Sequence, residues 1–371
     1  MSSNANRPAK TGRGGKATVL DVGRLAGVSG KTVSRVINGD GAIRASTRER
    51  VKAAMETLDF HPNQAARSLR SARSFNICLV TSHFSSFYFA EAVRGAARAC
   101  AARDHHLLIE ENPLDREGFT ALDRVLGDLK VDGFILLPPL TDDATLLDAL
   151  DRLGTPYVRI APVADHERSP SISSDDAVGV QQLAQHLWSL GHRRFGYIGG
   201  PANHGATDIR RRSFFEALLK AGATGEDIAD YAMPDALALE AQRHRTSRAV
   251  ARTGALAVDV FMALPHPPTA LFAFSDEMAC GAVARAHQLG LAIPADLAIA
   301  GFDDSDIGLI IHPPLTTIRQ PIIEMMEDAV RRLIERDKSR DSSPHPVQLI
   351  VRASTDPAIV DNLVGDTVKG A

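Results

Sequence analysis

The chain has 371 residues, 44% of them hydrophobic, with 42 Lys+Arg against 45 Asp+Glu for a net charge of −3. At roughly 150 residues per domain this is enough for two or three domains with sizeable cores. No run of about 18 apolar residues occurs, so no membrane span is expected. The polar, basic start MSSNANRPAKTGRGGKA lacks the apolar stretch of a secretory signal, so a cytoplasmic protein is expected.

The charge is unevenly spread. Residues 1–73 hold 14 Lys/Arg and 5 Asp/Glu, and the rest of the chain is correspondingly acidic. A basic head on an acidic body suggests that the head meets a polyanion. Residues 1–16 show no apolar period and read as a disordered basic tail. From Thr18 to Asn38, TVLDVGRLAGVSGKTVSRVIN reads as two short helices around a tight turn, the layout that sets a second helix into the DNA major groove. Thr18 and Asp21 form a capping box. Val22, Leu25 and Ala26 fall on one helical face, and Gly27 sits at the turn. Ser29 is placed to cap a second helix, with Val33, Val36 and Ile37 inward. Gly30, Lys31, Thr32, Ser34 and Arg35 are left outward, and all but the glycine can donate to base edges or phosphates.

A third helix is expected from a second capping box, Ser46 with Glu49, and the stripe Val51, Ala54, Met55 and Leu58. Pro62 ends it. In HPNQAARSLRSARS, Asn63 can cap a short helix that is too short to stand alone. It folds only if two copies pair on DNA, with Leu69 as a wedge between base pairs; the alternative is a basic linker.

TVLDVGRLAGVSGKTVSRVING and STRERVKAAMETLDFHPNQAARSLRS resemble the LacI/GalR family of bacterial transcription repressors, and the resemblance extends to about Ser354. It implies a homodimer on double-stranded operator DNA, with one helix-turn-helix per half-site and paired hinge helices that insert Leu69 into a central minor-groove step. Gly30, Lys31 and Arg35 match the family's base readers. Thr18, Thr32, Ser34 and Asn38 match its phosphate and groove contacts, and Asn63, Ala66 and Leu69 its hinge contacts. Gly23 stands where the family usually has Ala, at a helix-propensity cost of about 1 kcal/mol. Gly30 has no side chain to read with, so base choice shifts to Lys31 and Arg35 and a guanine is expected in each half-site.

From Asn76 apolar strand-like runs alternate with helical stretches: NICLVTS, AEAVRGAARACAAR, HHLLIEE, a helix near 118–129, DGFILLPP, TPYVRIAP, and so on to DLAIAGFDD. This is the rhythm of parallel sheets wound with helices on both faces, and there is enough of it for two lobes. Strands end in Ser, Pro, Gly or Asp, where such sheets place ligands. Cys78, Cys100 and Cys280 lie far apart and read as buried thiols. No GxGxxG or GxxxxGK[ST] motif is present, so no cofactor is expected. His105, His106 and His192 lack ligand-spaced partners, so no metal is expected. No nucleophile elbow is present, and Asp303–Asp304, being adjacent, are not expected to converge on one substrate, so an enzyme is not expected.

The resemblance implies a periplasmic-binding-protein-like body joined by three crossovers. Expected boundaries are a tail at 1–16, a reader at 17–60, a hinge at 61–74, a sensor at 75–355 and a C-terminal tail at 356–371. Lobe 1 would hold 75–172 with 307–335, and lobe 2 would hold 173–306 with 345–355. Arg210 and Asp276 match the family's ligand-clamping arginine and aspartate. Arg159, Asp175, Asn203 and Phe274 match strand ends facing the cleft, and Phe84, Phe87 and Tyr88 could supply flat surfaces for a sugar. The expected effector is a sugar or glycoside that releases the DNA. Alternatives are a purine-type corepressor and, in another class, a transporter's solute-binding protein.

Overall fold

The computed structural model describes residues 17–37, 42–60, 73–82, 87–111, 130–244, 247–340 and 343–359. The tail 1–16, Asn38, the segment with Asn63, Ala66 and Leu69, the loop with Phe84, the helix expected at 118–129 and the residues after Ile359 lie outside these. The chain divides into one unit up to Ser74 and another from Phe75.

In the first unit, helices α1 (Val19–Ala26), α2 (Gly30–Ile37) and α3 (Ala45–Thr57) enclose a core of Val22, Ala26, Val33, Val51, Ala54 and Phe60. The α1 capping box forms as expected, and Gly27 takes φ 66°, the left-handed conformation that a C-cap glycine reaches without strain. Two expectations fail. Leu25 is 52% exposed: α1 meets the core through Val22 and Ala26, with Val19 partly buried against it. No capping box opens α3: it starts at Ala45, one residue before Ser46, with Arg44 as an N-cap that makes no side-chain bond.

The second unit holds two parallel sheets. In the first, β1 (Asn76–Thr81) is followed by α4 (Phe87–Ala101), β2 (His106–Glu111), β3 (Gly133–Leu136), α5 (Ala144–Leu153), β4 (Tyr157–Ile160) and β5 (Ser171–Ile172). Their order is β2-β1-β3-β4-β5. The inner strands are buried on both faces, as helix-covered parallel strands must be. Alternate residues split between two cores: Ile77, Leu79, Ile135 and Val158 meet α4, while Cys78, Val80, Phe134 and Leu136 meet Leu146, Leu147 and Leu150 of α5. HHLLIEE becomes the half-exposed edge strand β2.

The second sheet contains α6 (Asp176–Ser189), β6 (Phe195–Ile198), α7 (Gly205–Ala221), β7 (Ile228–Tyr231), α8 (Asp235–His244), α9 (Ser247–Met262), β8 (Ala270–Ala273), α10 (Asp276–Gln288) and β9 (Ala298–Ala300), in strand order β7-β6-β8-β9. Helices α9 and α10 meet at reciprocal glycines. A Cβ on Gly254 would lie 1.9 Å from the Met278 carbonyl oxygen, and one on Gly281 1.9 Å from that of Ala251, so neither position has room for a side chain.

The chain then forms α11 (Ile307–Ile310), β10 (Thr317–Arg319), α12 (Ile322–Glu335) and β11 (Gln348–Ile350), with β10 antiparallel to β11. The boundary expected at 307 is displaced. Leu315 belongs to the core under α9 and α10, Ile318 to the core under α6 and α7, and only from Ile322 does the chain pack on the first sheet, through Met325, Met326 and Val330. Residues 307–319 follow the second lobe because Thr316 and Thr317 are tied to it by buried hydrogen bonds to Ser354 and Asp276.

Candidate functional site

In the helix-turn-helix, the Asp21 amide donates to Thr18 Oγ1 at 3.3 Å; the Thr18 hydroxyl at 2.6 Å and the Thr18 amide at 3.0 Å both donate to Asp21 Oδ2, and these two bonds, the hydroxyl's first, hold the Asp21 carboxyl below its usual range. Ser29 Oγ accepts from the Thr32 amide at 3.2 Å and lies 2.9 Å from Thr32 Oγ1, so the Thr32 hydroxyl belongs to the cap of α2. Lys31 and Arg35 are exposed on α2; Thr32 and Ser34 are half-buried. At the turn the backbone passes close to Gly23, where a Cβ would sit 2.8 Å from the Val28 carbonyl oxygen. Any helix propensity lost at Gly23 is therefore offset by fit.

A cavity of about 140 Å³ lies between the two sheets of the second unit. The first lobe contributes Phe87, Tyr88, Pro138 and Ala161, and the second contributes His204, Arg210, Phe274, Glu277 and Met278. Asp176 lines it too, as do Ser174, Asp303 and Gln320 at or beside the chain crossings. Beyond Tyr88 and Asp303 it adjoins a second cavity of about 400 Å³ that contains Glu91, Arg94, Asp304, Arg319 and Glu324.

Arg210 organises the floor. Its Nε donates to Asp176 Oδ2 at 2.9 Å and its Nη1 to the Phe274 carbonyl at 2.7 Å, while Nη2 lies 3.9 Å from Asp303 Oδ1. The guanidinium carbon stands 3.5 Å from the centre of the Phe302 ring and 4.7 Å from that of Phe274, a cation held between aromatic faces. Gln320 bridges the crossings: its Nε2 donates to Asp303 at 3.1 Å and its Oε1 accepts from Ser174 at 3.2 Å. Burial, opposed by Arg210 and reinforced by Asp276, Glu277 and Asp176, pushes the Asp303 carboxyl well above its usual range. Burial also raises the Tyr88 phenol, helped by Asp176 and Asp303.

Of the residues expected in the cleft, Arg210, Phe274, Phe87 and Tyr88 line it, and four do not. Arg159 is fully buried in its own lobe, where it donates to Ser169 at 3.0 Å, to the Ala164 carbonyl at 2.9 Å and to the Asp165 carbonyl, and holds the loop after β4. Asp175 accepts from the Val178 amide as the N-cap of α6, and the next residue, Asp176, reaches the cavity instead. Asn203 is exposed in a turn, and its neighbour His204 lines the cavity, 5.3 Å edge-to-face from Phe274.

Asp276 is 1% exposed and lies behind the cavity wall. Its Oδ1 accepts from Thr317 Oγ1 at 2.6 Å, and its Oδ2 from the Ser305 amide at 2.7 Å and from Ser305 Oγ at 2.9 Å. Burial outweighs these bonds and pushes the carboxyl up to about 7. Asp303, at φ 108°, does line the cavity, with Asp176 and Glu277. Its neighbour Asp304 turns instead to Arg319 and to Arg352 at 2.6 Å. The usable signal was position: Asp303 closes a strand run at the carboxyl end of a parallel sheet.

Residues 18–63 match the family model described as bacterial regulatory proteins, lacI family, and residues 184–355 match a periplasmic binding protein-like domain. The chain is 31% identical over 349 residues to the HTH-type transcriptional regulator DegA of Bacillus subtilis (strain 168), covering 92% of this chain and 99% of DegA. It is 32% identical over 328 residues to the HTH-type transcriptional repressor PurR of Aliivibrio fischeri, covering 88% and 93%. Among solved structures it resembles the transcriptional regulator CelR in complex with cellobiose, with a TM-score of 0.64 and 29% identity over 91% of this chain and 99% of that one. The lac repressor dimer bound to operator shares its fold, with a TM-score of 0.69. A reading helix with outward cations, a two-lobed α/β body and similarity along nearly the whole chain place this protein in the LacI family of bacterial transcriptional regulators.

Proposed function

We propose that this regulator is a bacterial cytoplasmic repressor. It binds an inverted-repeat operator as a homodimer, one helix-turn-helix per half-site, and leaves it when a small neutral ligand rich in hydroxyl groups fills the cavity between the lobes. The reading rests on the Arg210 floor. A guanidinium fixed by Asp176 and the Phe274 carbonyl, beside Asp303 and between aromatic rings, offers a donor, acceptors and flat apolar faces within one small space. That combination suits a sugar or glycoside. Even with burial opposing the charge on Asp303, Asp176 and Glu277 outnumber the single guanidinium in the lining, so a carboxylate or phosphate ligand meets repulsion. The cellobiose held by the related CelR is of the favoured class.

Ligand contacts fall on Tyr88 and Phe87 of one lobe and Arg210 and Phe274 of the other, so a bound sugar favours one relative setting of the lobes. It can shift the population only by its differential affinity for the two settings, and full switching needs about 10⁴-fold. Residues 61–74 are proposed as the linker that carries this setting to the DNA reader.

The test is thermal-shift screening of the full-length protein against sugars, nucleobases and sugar acids, followed by operator binding with each hit. A neutral sugar that raises Tm, loses its effect in Arg210→Ala and releases DNA supports the reading. A sugar acid or phosphate as the best ligand overturns the neutral class, and a ligand that tightens operator binding overturns release.

A further inference from the structure

Gly30, the first residue of α2, has no side chain at the end of the reading helix where base contacts concentrate. That space is not empty. A Cβ built on Gly30 would stand 3.2 Å from Leu20 Cδ2 and 3.7 Å from Val19 Cγ1. Leu20 comes from α1, yet its side chain lies against the backbone of the first turn of α2. It is 69% exposed there, whereas Val22, two residues on, is fully buried. Beside it Lys31 is exposed, and Ser29 and Thr32 are tied to each other in the helix cap.

A single exposed leucine is ordinary on a protein surface. This one is distinguished by its seat, because its branched end stands where a side chain on the first residue of the reading helix would project. In a helix-turn-helix complex the start of the second helix faces base edges in the major groove. Among the groups displayed there, the one apolar feature is the C5-methyl of thymine. We propose that Leu20 supplies the base-reading group that Gly30 lacks, and that it recognises the methyl of a thymine in each half-site. Lys31 and Arg35 on the same helix carry charge and hydrogen bonding; Leu20 adds apolar shape discrimination beside them.

The experiment starts from an operator selected with the full-length protein out of random inverted repeats. Each thymine of a half-site is then replaced by deoxyuridine, which keeps every hydrogen bond and removes only the methyl. Affinity is measured for wild type, Leu20→Ala and Leu20→Met. At one thymine per half-site, wild type is expected to lose about three- to fivefold, the worth of one buried methyl. Leu20→Ala should bind the thymine operator more weakly by a similar factor and show no further loss with uracil. Leu20→Met should keep the discrimination. Because Leu20 is exposed, Tm should be the same in all three proteins, which separates reading from folding. If no thymine shows a uracil effect that depends on residue 20, or if the selected half-sites contain no thymine, the proposal fails.

Discussion

Asp276 and Thr317 are joined by a 2.6 Å hydrogen bond that ties the start of α10 to β10 behind the wall of the inter-lobe cavity. With the two bonds from Ser305, it fixes the end of the second lobe to the segment that crosses to the first. Replacing Asp276 by Ala strands these donors in the interior and is expected to cost about 3 kcal/mol or more, read by urea unfolding. The damage should be to stability, with ligand affinity retained in the fraction that folds.

The same carboxyl makes a pH prediction. Its folded-state value is raised, to about 7, above the ordinary 3.8. The folded state therefore holds a proton that the unfolded chain has released, and this contribution to stability is present at low pH and lost as pH rises from about 4 through 7. The stability difference between wild type and Asp276→Asn should fall by up to about 1.4 kcal/mol per pH unit in that window. A flat difference would mean that Asp276 is ionised throughout.

Asp303 is shifted in the same direction as Asp276, but its replacement should not destabilise the fold. Burial beside other carboxylates opposes its charge, so Asp303→Asn is expected to leave Tm unchanged or raise it. The same change removes an acceptor from the cavity and should weaken ligand binding roughly tenfold or more, measured by calorimetry. A fall in Tm with unchanged affinity would make Asp303 a structural residue.

Arg159 resembles a ligand residue by position and a loop anchor by contact. Arg159→Met leaves the Ser169 hydroxyl and the Ala164 and Asp165 carbonyls without their donor and should cost about 3 kcal/mol. Ligand affinity below the melting range should stay within about twofold, since the side chain does not reach the cavity.

On the DNA side, Lys31→Gln and Arg35→Gln should each weaken operator binding. If the residue contacts a phosphate, the slope of log affinity against log salt should shrink by about one. If it contacts guanine, the slope should change little and selectivity at one G·C pair should relax. Selected half-sites with no preferred G·C pair would refute base reading by either residue.

The helix-turn-helix was legible because its signals are local. Thr18 with Asp21, Gly27 at the turn and Ser29 before α2 are each satisfied within four residues, and the structure forms them as read. The inner strands were legible for a similar reason: a strand buried on both faces reads as a nearly continuous apolar run, as ICLV in the first sheet and ALFA in the second.

Local sequence did not decide which of two polar residues faces the cavity. Between the neighbours Asp175 and Asp176 or Asn203 and His204, and between the distant carboxylates Asp276 and Asp303, the choice is settled by how a strand end or helix start is rotated, and that rotation is set by partners far along the chain, including Arg210 for Asp176 and Gln320 for Asp303. Family position brought the sequence to the right loops. Only the packing of two lobes around one guanidinium determined which carboxylates line the cavity and which, like Asp276, are spent holding the walls. The elements follow from short-range patterns of polarity and capping; the site follows from contacts between segments that the sequence separates by tens of residues, and no local pattern encodes them.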